Sequence, residues 1–160
     1  MSLLLLGCTV IIYKKNPSNK YDCEILTTIF IDSLREDNID TILYFSNKCC
    51  GCGKGTGNTN YIFWKKNNDT KVLKISSYSG KQKIKQFRDI FLFYNIDSVK
   101  NEKLNNPKFE LSHYGYYRLI YFSKHGFESN VPEYYLEVNN DKYITNLIYR
   151  IERILYKLQI

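Results

Sequence analysis

The residues most able to do chemistry gather in one short stretch, positions 48–57, which reads KCCGCGKGTG. Cys49, Cys50 and Cys52 fall within four residues, and Cys23 lies upstream. Several chemistries compete for them. A structural zinc ion takes four ligands, usually as two closely spaced pairs. The CC-x-C spacing is not such a pair, and Cys23, His113 or His125 would have to complete the set. A disulfide suits an exported chain. With Cys8 set aside, Cys23, Cys49, Cys50 and Cys52 form an even set whose pairing stays open. Cys49 and Cys50 are poor mutual partners, because disulfide geometry disfavours neighbours. A phosphate loop needs a hydroxyl residue directly after its Lys, at the start of a helix. Here Gly55 follows Lys54, Thr56 comes one place late, and the next segment reads as a strand. Glycine amides with Lys54 could still hold an anion weakly, and the remaining reading is a surface loop carrying thiols.

Other catalytic constellations are thin. His113 and His125 are the only histidines, one at a predicted strand end and one beside Gly126. Neither is tied by a local signature to the cysteines as a thiolate-base pair would require. Glu24, Glu36, Asp37 and Asp40 cluster around the first predicted helix, where helix ends and turns use such residues. No catalytic residue and no cofactor is assigned. The aromatic content of 16% is high, and tyrosines crowd one strand region. Tyr116, Arg118 and Tyr121 are the candidates for a protein-binding patch, since Tyr and Arg are enriched at interface hot spots. Strand alternation places Tyr117, Leu119 and Tyr121 on one face, and Tyr116, Arg118, Ile120 and Phe122 on the other.

The elements that position these residues follow from periodicity. Asp22 caps a helix to about residue 36, with Ile25, Leu26, Ile29, Phe30 and Leu34 on one stripe. Residues 41–46 form a short strand. Residues 61–66 and 71–78 flank Asn67-Asn68-Asp69-Thr70, a hairpin signal. Ser79 and Gln82 resemble a capping box opening a second helix to about residue 94. Residues 108–113, 116–124 and 133–138 read as further strands. Asn140 caps a final helix, residues 141–158, with a clean stripe of Ile144, Leu147, Ile148, Ile151, Ile154, Leu155 and Leu158. Short links between successive strands imply antiparallel pairing. The expected fold is α+β: a mostly antiparallel sheet of five to six strands with three helices packed on one face.

Composition bounds the functional classes. An apolar fraction of 44% with 24% charged residues is a globular balance and excludes a disordered chain. Alanine is absent, and Ile, Asn, Lys and Tyr abound. Their codons are AT-rich, so Lys outnumbers Arg for reasons of codon usage. The net charge of +7 would suit a nucleic acid or an anionic membrane. The basic residues are scattered, however, and no stacking module is evident, so nucleic acid is not the expected partner.

Residues 3–13 read LLLLGCTVIIY. This run is shorter than the ~20 apolar residues that span a bilayer, and fits the apolar region of a signal peptide. Leu5-Leu6-Gly7-Cys8 resembles the bacterial lipobox. The resemblance implies that Cys8 becomes the lipidated first residue of the mature chain, held at a membrane by its acyl chains. The same run also suits a buried first strand. Residues 14–21 are polar, contain Pro17, and read as a tether. The organisation expected is therefore an anchor and linker over residues 1–21 and one α+β domain over residues 22–160. The leading functional expectation is a non-catalytic lipoprotein of the cell envelope, acting through contacts with a protein partner as inhibitors and immunity-type proteins do. The alternatives are a cytoplasmic metal- or thiol-dependent protein using Cys49, Cys50 and Cys52, and an enzyme with an unrecognised site.

Overall fold

The computed structural model describes residues 22–49, 59–67, 69–77, 83–88, 92–103 and 115–160. Helix α1 spans Cys23–Glu36 and begins where expected: Asp22 Oδ1 accepts from the Glu24 and Ile25 amides at 3.0 and 3.1 Å. Such a cap is worth about 1 kcal/mol. The helix stops at Asp37-Asn38, where Asn38 turns left-handed (φ 58°) and the Ile39 amide bonds back to the Leu34 carbonyl. Its buried stripe is Cys23, Thr27, Ile31 and Leu34, while Ile25 is exposed. The helix is thus rotated from the expected stripe, because Thr27 is drawn inward by a hydrogen bond described below.

Six strands form one antiparallel sheet: β1 (Ile42–Cys49), β2 (Thr59–Lys66), β3 (Asp69–Ser76), β4 (Lys83–Phe87), β5 (Gly115–Phe122) and β6 (Phe127–Pro132). Their order is β4-β3-β2-β1-β5-β6. β2 and β3 form the predicted hairpin, closing on the Lys66–Asp69 pair, with Asn67 at φ 60°. In β1, Ile42, Leu43, Tyr44 and Phe45 are each no more than 2% exposed. Successive strand residues point to opposite faces, so both faces of this strand must be covered.

They are covered by different helices, which corrects the expectation that the helices share one face. Ile42, Tyr44, Ile62, Trp64, Leu73 and Ile75 pack with Cys23, Ile31 and Leu34 of α1. Leu43, Phe45, Phe63, Val72, Leu119 and Val131 pack on the other side with helix α3 (Tyr143–Leu158), the short helix α2 (Tyr135–Val138) and a 3-10 helix at Ile96–Asn101. A run of four consecutive apolar residues is the signature of a strand buried on both sides. α1 touches β2 and β3, and the outer side of β5 stays half-buried.

Two predicted elements are exchanged for others. The helix expected over residues 79–94 is the edge strand β4, paired from Thr70–Phe87 to Lys74–Lys83, followed by turns. Pairing with the open edge of β3 overrides the local helical period, and leaves Ile84 59% exposed. The strand expected over residues 133–138 is α2, and the strand itself lies earlier, as β6. The tight turn before β6 brings Gly126 so close to the Tyr121 carbonyl that a Cβ would stand 2.2 Å from its oxygen. β6 carries the polar run Glu128-Ser129-Asn130 at its centre and so shows no apolar pattern. The strand expected at residues 108–113 lies outside the described residues.

Helix α3 carries the expected stripe: Ile144, Leu147, Ile148, Ile151, Ile154 and Leu155 are buried. Its start differs. The cap position is Lys142, which makes no side-chain cap bond. Glu102 takes over from across the fold, its Oε1 and Oε2 accepting from the Tyr143 and Ile144 amides at 2.8 and 2.9 Å. The carboxylate satisfies two of the orphan donors of the first turn and sits at the positive end of the helix dipole. At the other end, Lys85 Nζ donates to the Leu158 carbonyl at 2.6 Å. Replacing Glu102 with Ala should lower unfolding free energy by about 1–2 kcal/mol, and Glu102→Gln by less, since one acceptor remains. Urea denaturation followed by circular dichroism measures both. Equal stability of all three proteins would show that the long-range cap contributes nothing.

Candidate functional site

Only some of the predicted site residues are among those described. Cys23 is buried at the start of α1, its Sγ directed at the Ile75 carbonyl 3.8 Å away. Cys49 ends β1 opposite Gly115. Cys8, Cys50, Cys52, Lys54, Thr56 and His113 lie outside the described residues, as does the side chain of Cys49. Among the described residues, no three His, Cys, Asp or Glu side chains are grouped to hold a metal. His125 is exposed in the β5–β6 turn, where its amide donates to Ser123 Oγ at 3.2 Å. Glu24, Glu36 and Asp37 are exposed at the ends of α1, and Asp40 accepts from the Thr41 hydroxyl at 3.0 Å. Asp40 also lines a cavity of about 410 Å³ with Arg35, Phe122 and Lys124.

The tyrosine-arginine patch is half assembled. Along β5 burial alternates strictly: Tyr117, Leu119 and Tyr121 are buried on the α3 side, and Tyr116, Arg118, Ile120 and Phe122 are half-buried on the other. Tyr116 and Arg118 therefore share a surface. Tyr121 does not belong to it, because the period of two turns its ring into the core against Phe127 and Phe93, 5.9 and 6.4 Å between centroids.

Arg118 is held from two sides. Its Nε and Nη2 donate to Glu128 Oε1 at 3.0 and 2.9 Å, and its guanidinium lies 6.0 Å from the Tyr44 ring. Burial opposes the Arg118 charge, but the Glu128 hydrogen bond and charge outweigh it, so the group holds its proton more tightly than usual. Behind it, the Tyr44 hydroxyl donates to Asn60 Oδ1 at 3.2 Å. Asn60 Nδ2 in turn donates to Thr27 Oγ1 at 2.9 Å and reaches the Cys23 carbonyl at 3.4 Å. A polar chain thus runs from the surface through the α1-side core. Buried polar groups demand such partners, which is why Thr27 points inward.

On the opposite face, Tyr117 donates to Glu152 Oε1 of α3 at 2.7 Å. Burial, then the Glu152 hydrogen bond and charge, push the Tyr117 phenol well above its ordinary 10.0. Burial also raises Tyr61, and burial with the Asp97 charge raises Tyr121.

Sequence reasoning missed a strongly basic concavity. A groove of about 460 Å³ lies between β4 and α3, lined by Arg88, Arg150, Arg153 and Lys157 over a floor of Phe87, Ile154 and Leu158. The cations at 150, 153 and 157 share the outer side of α3 because helical neighbours recur every three to four residues. Arg88 joins them because β4 is a strand and not the predicted helix. The usable signal was arginine itself. In a chain where Lys prevails, the five arginines stand at 35, 88, 118, 150 and 153, and three of them meet here. Arg88 also approaches Asp69 at 3.6 Å, but its side chain is 91% exposed, so that pair is weak.

No protein-family model, curated protein or solved structure matches the chain.

A raised phenol contributes stability that is complete below its ordinary value of 10.0 and is lost as pH climbs beyond it. Tyr117→Phe should therefore cost about 1–2 kcal/mol at neutral pH, from the lost bond to Glu152, and less above pH 10.0. Urea midpoints for both proteins across that range measure it. A deficit that persists unchanged in alkali would refute the role of the Tyr117 proton.

Proposed function

We propose that this chain is a non-catalytic binding protein of the bacterial cell envelope, acting on a protein partner in the manner of an inhibitor or immunity protein. The observation that carries the reading is the outer side of β5. There Tyr116, Ile120 and Phe122 are half-buried around an arginine already fixed by Glu128 and Tyr44. An arginine so held gives up little conformational freedom on docking, which favours a hot spot. The net charge of +7 favours an acidic partner surface. The envelope address rests on the lipobox-like Leu5-Leu6-Gly7-Cys8, with Cys8 as the lipidated residue. No helix among the described residues is long and apolar enough to cross a membrane. The anchor proposed is the acyl group of Cys8.

Two measurements test this. Intact mass of the membrane fraction should give a chain beginning at diacylglyceryl-Cys8; a membrane-free chain retaining Met1 ends the envelope part. For the binding part, a photo-crosslinking residue placed at Tyr116 in the native host should yield one discrete adduct. Arg118→Ala should then weaken the purified complex about thirtyfold, the scale of a hot spot. Lys103→Ala, an exposed control, should leave it unchanged. Equal effects of the two substitutions would overturn the assignment of this face.

A further inference from the structure

The groove between β4 and α3 is unused by the proposed function, and its make-up points to a ligand. We propose that it binds the phosphodiester headgroup of an anionic glycerophospholipid, seating α3 against a negatively charged membrane surface. The inference goes beyond the reading above and does not need the lipid anchor.

Four observations select this ligand. Arg150 and Arg153 on α3 and Arg88 after β4 converge on one concavity. Arginine offers a planar fork of donors that fits phosphate oxygens, and binds them with less reorganisation than lysine. The floor beneath the cations is apolar, formed by Phe87, Ile154 and Leu158. A free phosphate has nothing to place there, whereas a lipid carries glycerol and the first methylenes directly below its headgroup.

The third observation is the company the cations keep. At 3.6 residues per turn, Tyr156, Tyr149, Arg153, Lys157 and Arg150 fall within about 120° of the helix circumference. Tyr149 and Tyr156 are 47% and 86% exposed. Exposed tyrosines beside basic residues are the composition of a surface resting at headgroup depth. The fourth is charge: among the described residues, the groove lining holds four cations and no acid. The acid on this part of α3, Glu152, turns toward Tyr117 and holds its hydroxyl at 2.7 Å. Asp69 contacts Arg88 only at 3.6 Å, on an exposed side chain. Single strands also stack on exposed aromatic rings, but the apolar floor of Phe87, Ile154 and Leu158 beneath the cations suits the first methylenes of a lipid and not a ribose.

The test uses the full chain carrying Cys8→Ser, so that no acyl group contributes. It is sedimented with vesicles of pure phosphatidylcholine, and with vesicles containing about one-third phosphatidylglycerol. Binding to the anionic vesicles alone is expected. A basic residue at such a surface is worth roughly fivefold in partitioning, so Arg150→Gln with Arg153→Gln should weaken binding about 25-fold. The matched control is Arg35→Gln with Lys124→Gln, in the cavity on the α1 side; it removes the same charge and should cost no more than about threefold. Glycerol phosphate should compete better than inorganic phosphate if the apolar floor takes part. If the double arginine variant fails to fold, exposed Lys157→Gln alone should still weaken binding several-fold. Equal binding to both vesicles, equal loss from the control pair, or tighter arginine-dependent binding of a single-stranded oligonucleotide would each overturn the proposal.

Discussion

Everything in this fold depends on the burial of four consecutive residues, Ile42 to Phe45, on both sides of β1. Each large apolar side chain fully removed from water contributes about 1.5–3 kcal/mol, and here the contributions point in opposite directions from one strand. Such a strand cannot sit at an edge or over an open face. It lies between β2 and β5, with α1 below and α3 above. The two faces then develop separately. The α3 side is deeper, collecting the 3-10 helix, α2 and much of the aromatic content. The α1 side is narrower, since one helix of 14 residues covers only part of a six-stranded sheet. The two surfaces proposed for binding are the outer side of β5, where the cover of α1 ends, and the outer side of α3.

Several polar groups inside these layers are tied by hydrogen bonds from distant parts of the chain. Tyr44, Asn60 and Thr27 form a relay across β1, β2 and α1, so the side chains behind Arg118 are locked to the core. Glu102 does the equivalent service for α3, and Lys85 for its opposite end. In each case a side chain from a distant part of the chain satisfies the group. The relay is buried, where an unmade bond costs about 1–3 kcal/mol, whereas the bonds of Glu102 and Lys85 lie at the exposed or half-buried ends of α3.

The parts of the fold legible in sequence were those with local causes. Asp22 as a cap, Asn67 in a tight turn, and the stripe from Ile144 to Leu155 each express their structure within a few residues. What failed was set at long range. Residues 83–87 are compatible with a helix and become a strand because β3 has an unpaired edge. β6 carries Glu128-Ser129-Asn130 at its centre and shows no apolar run. The placement of α1 and α3 on opposite faces was implicit in Ile42 to Phe45, read only as a short strand. At the candidate sites, alternation correctly grouped Tyr116 with Arg118 and separated Tyr121, which sequence crowding alone had joined to them. The basic groove needed Arg88 beside Arg150, and 62 positions of chain conceal that proximity.

The clasp on α3 has a consequence for how the molecule is assembled. Its acid, Glu102, precedes the Tyr143 amide by 41 positions. During synthesis the acceptor is therefore in place before the donor leaves the ribosome. A helix nucleus is costly to start unaided, and Glu102 offers this one acceptors for two of its first amides from outside the helix.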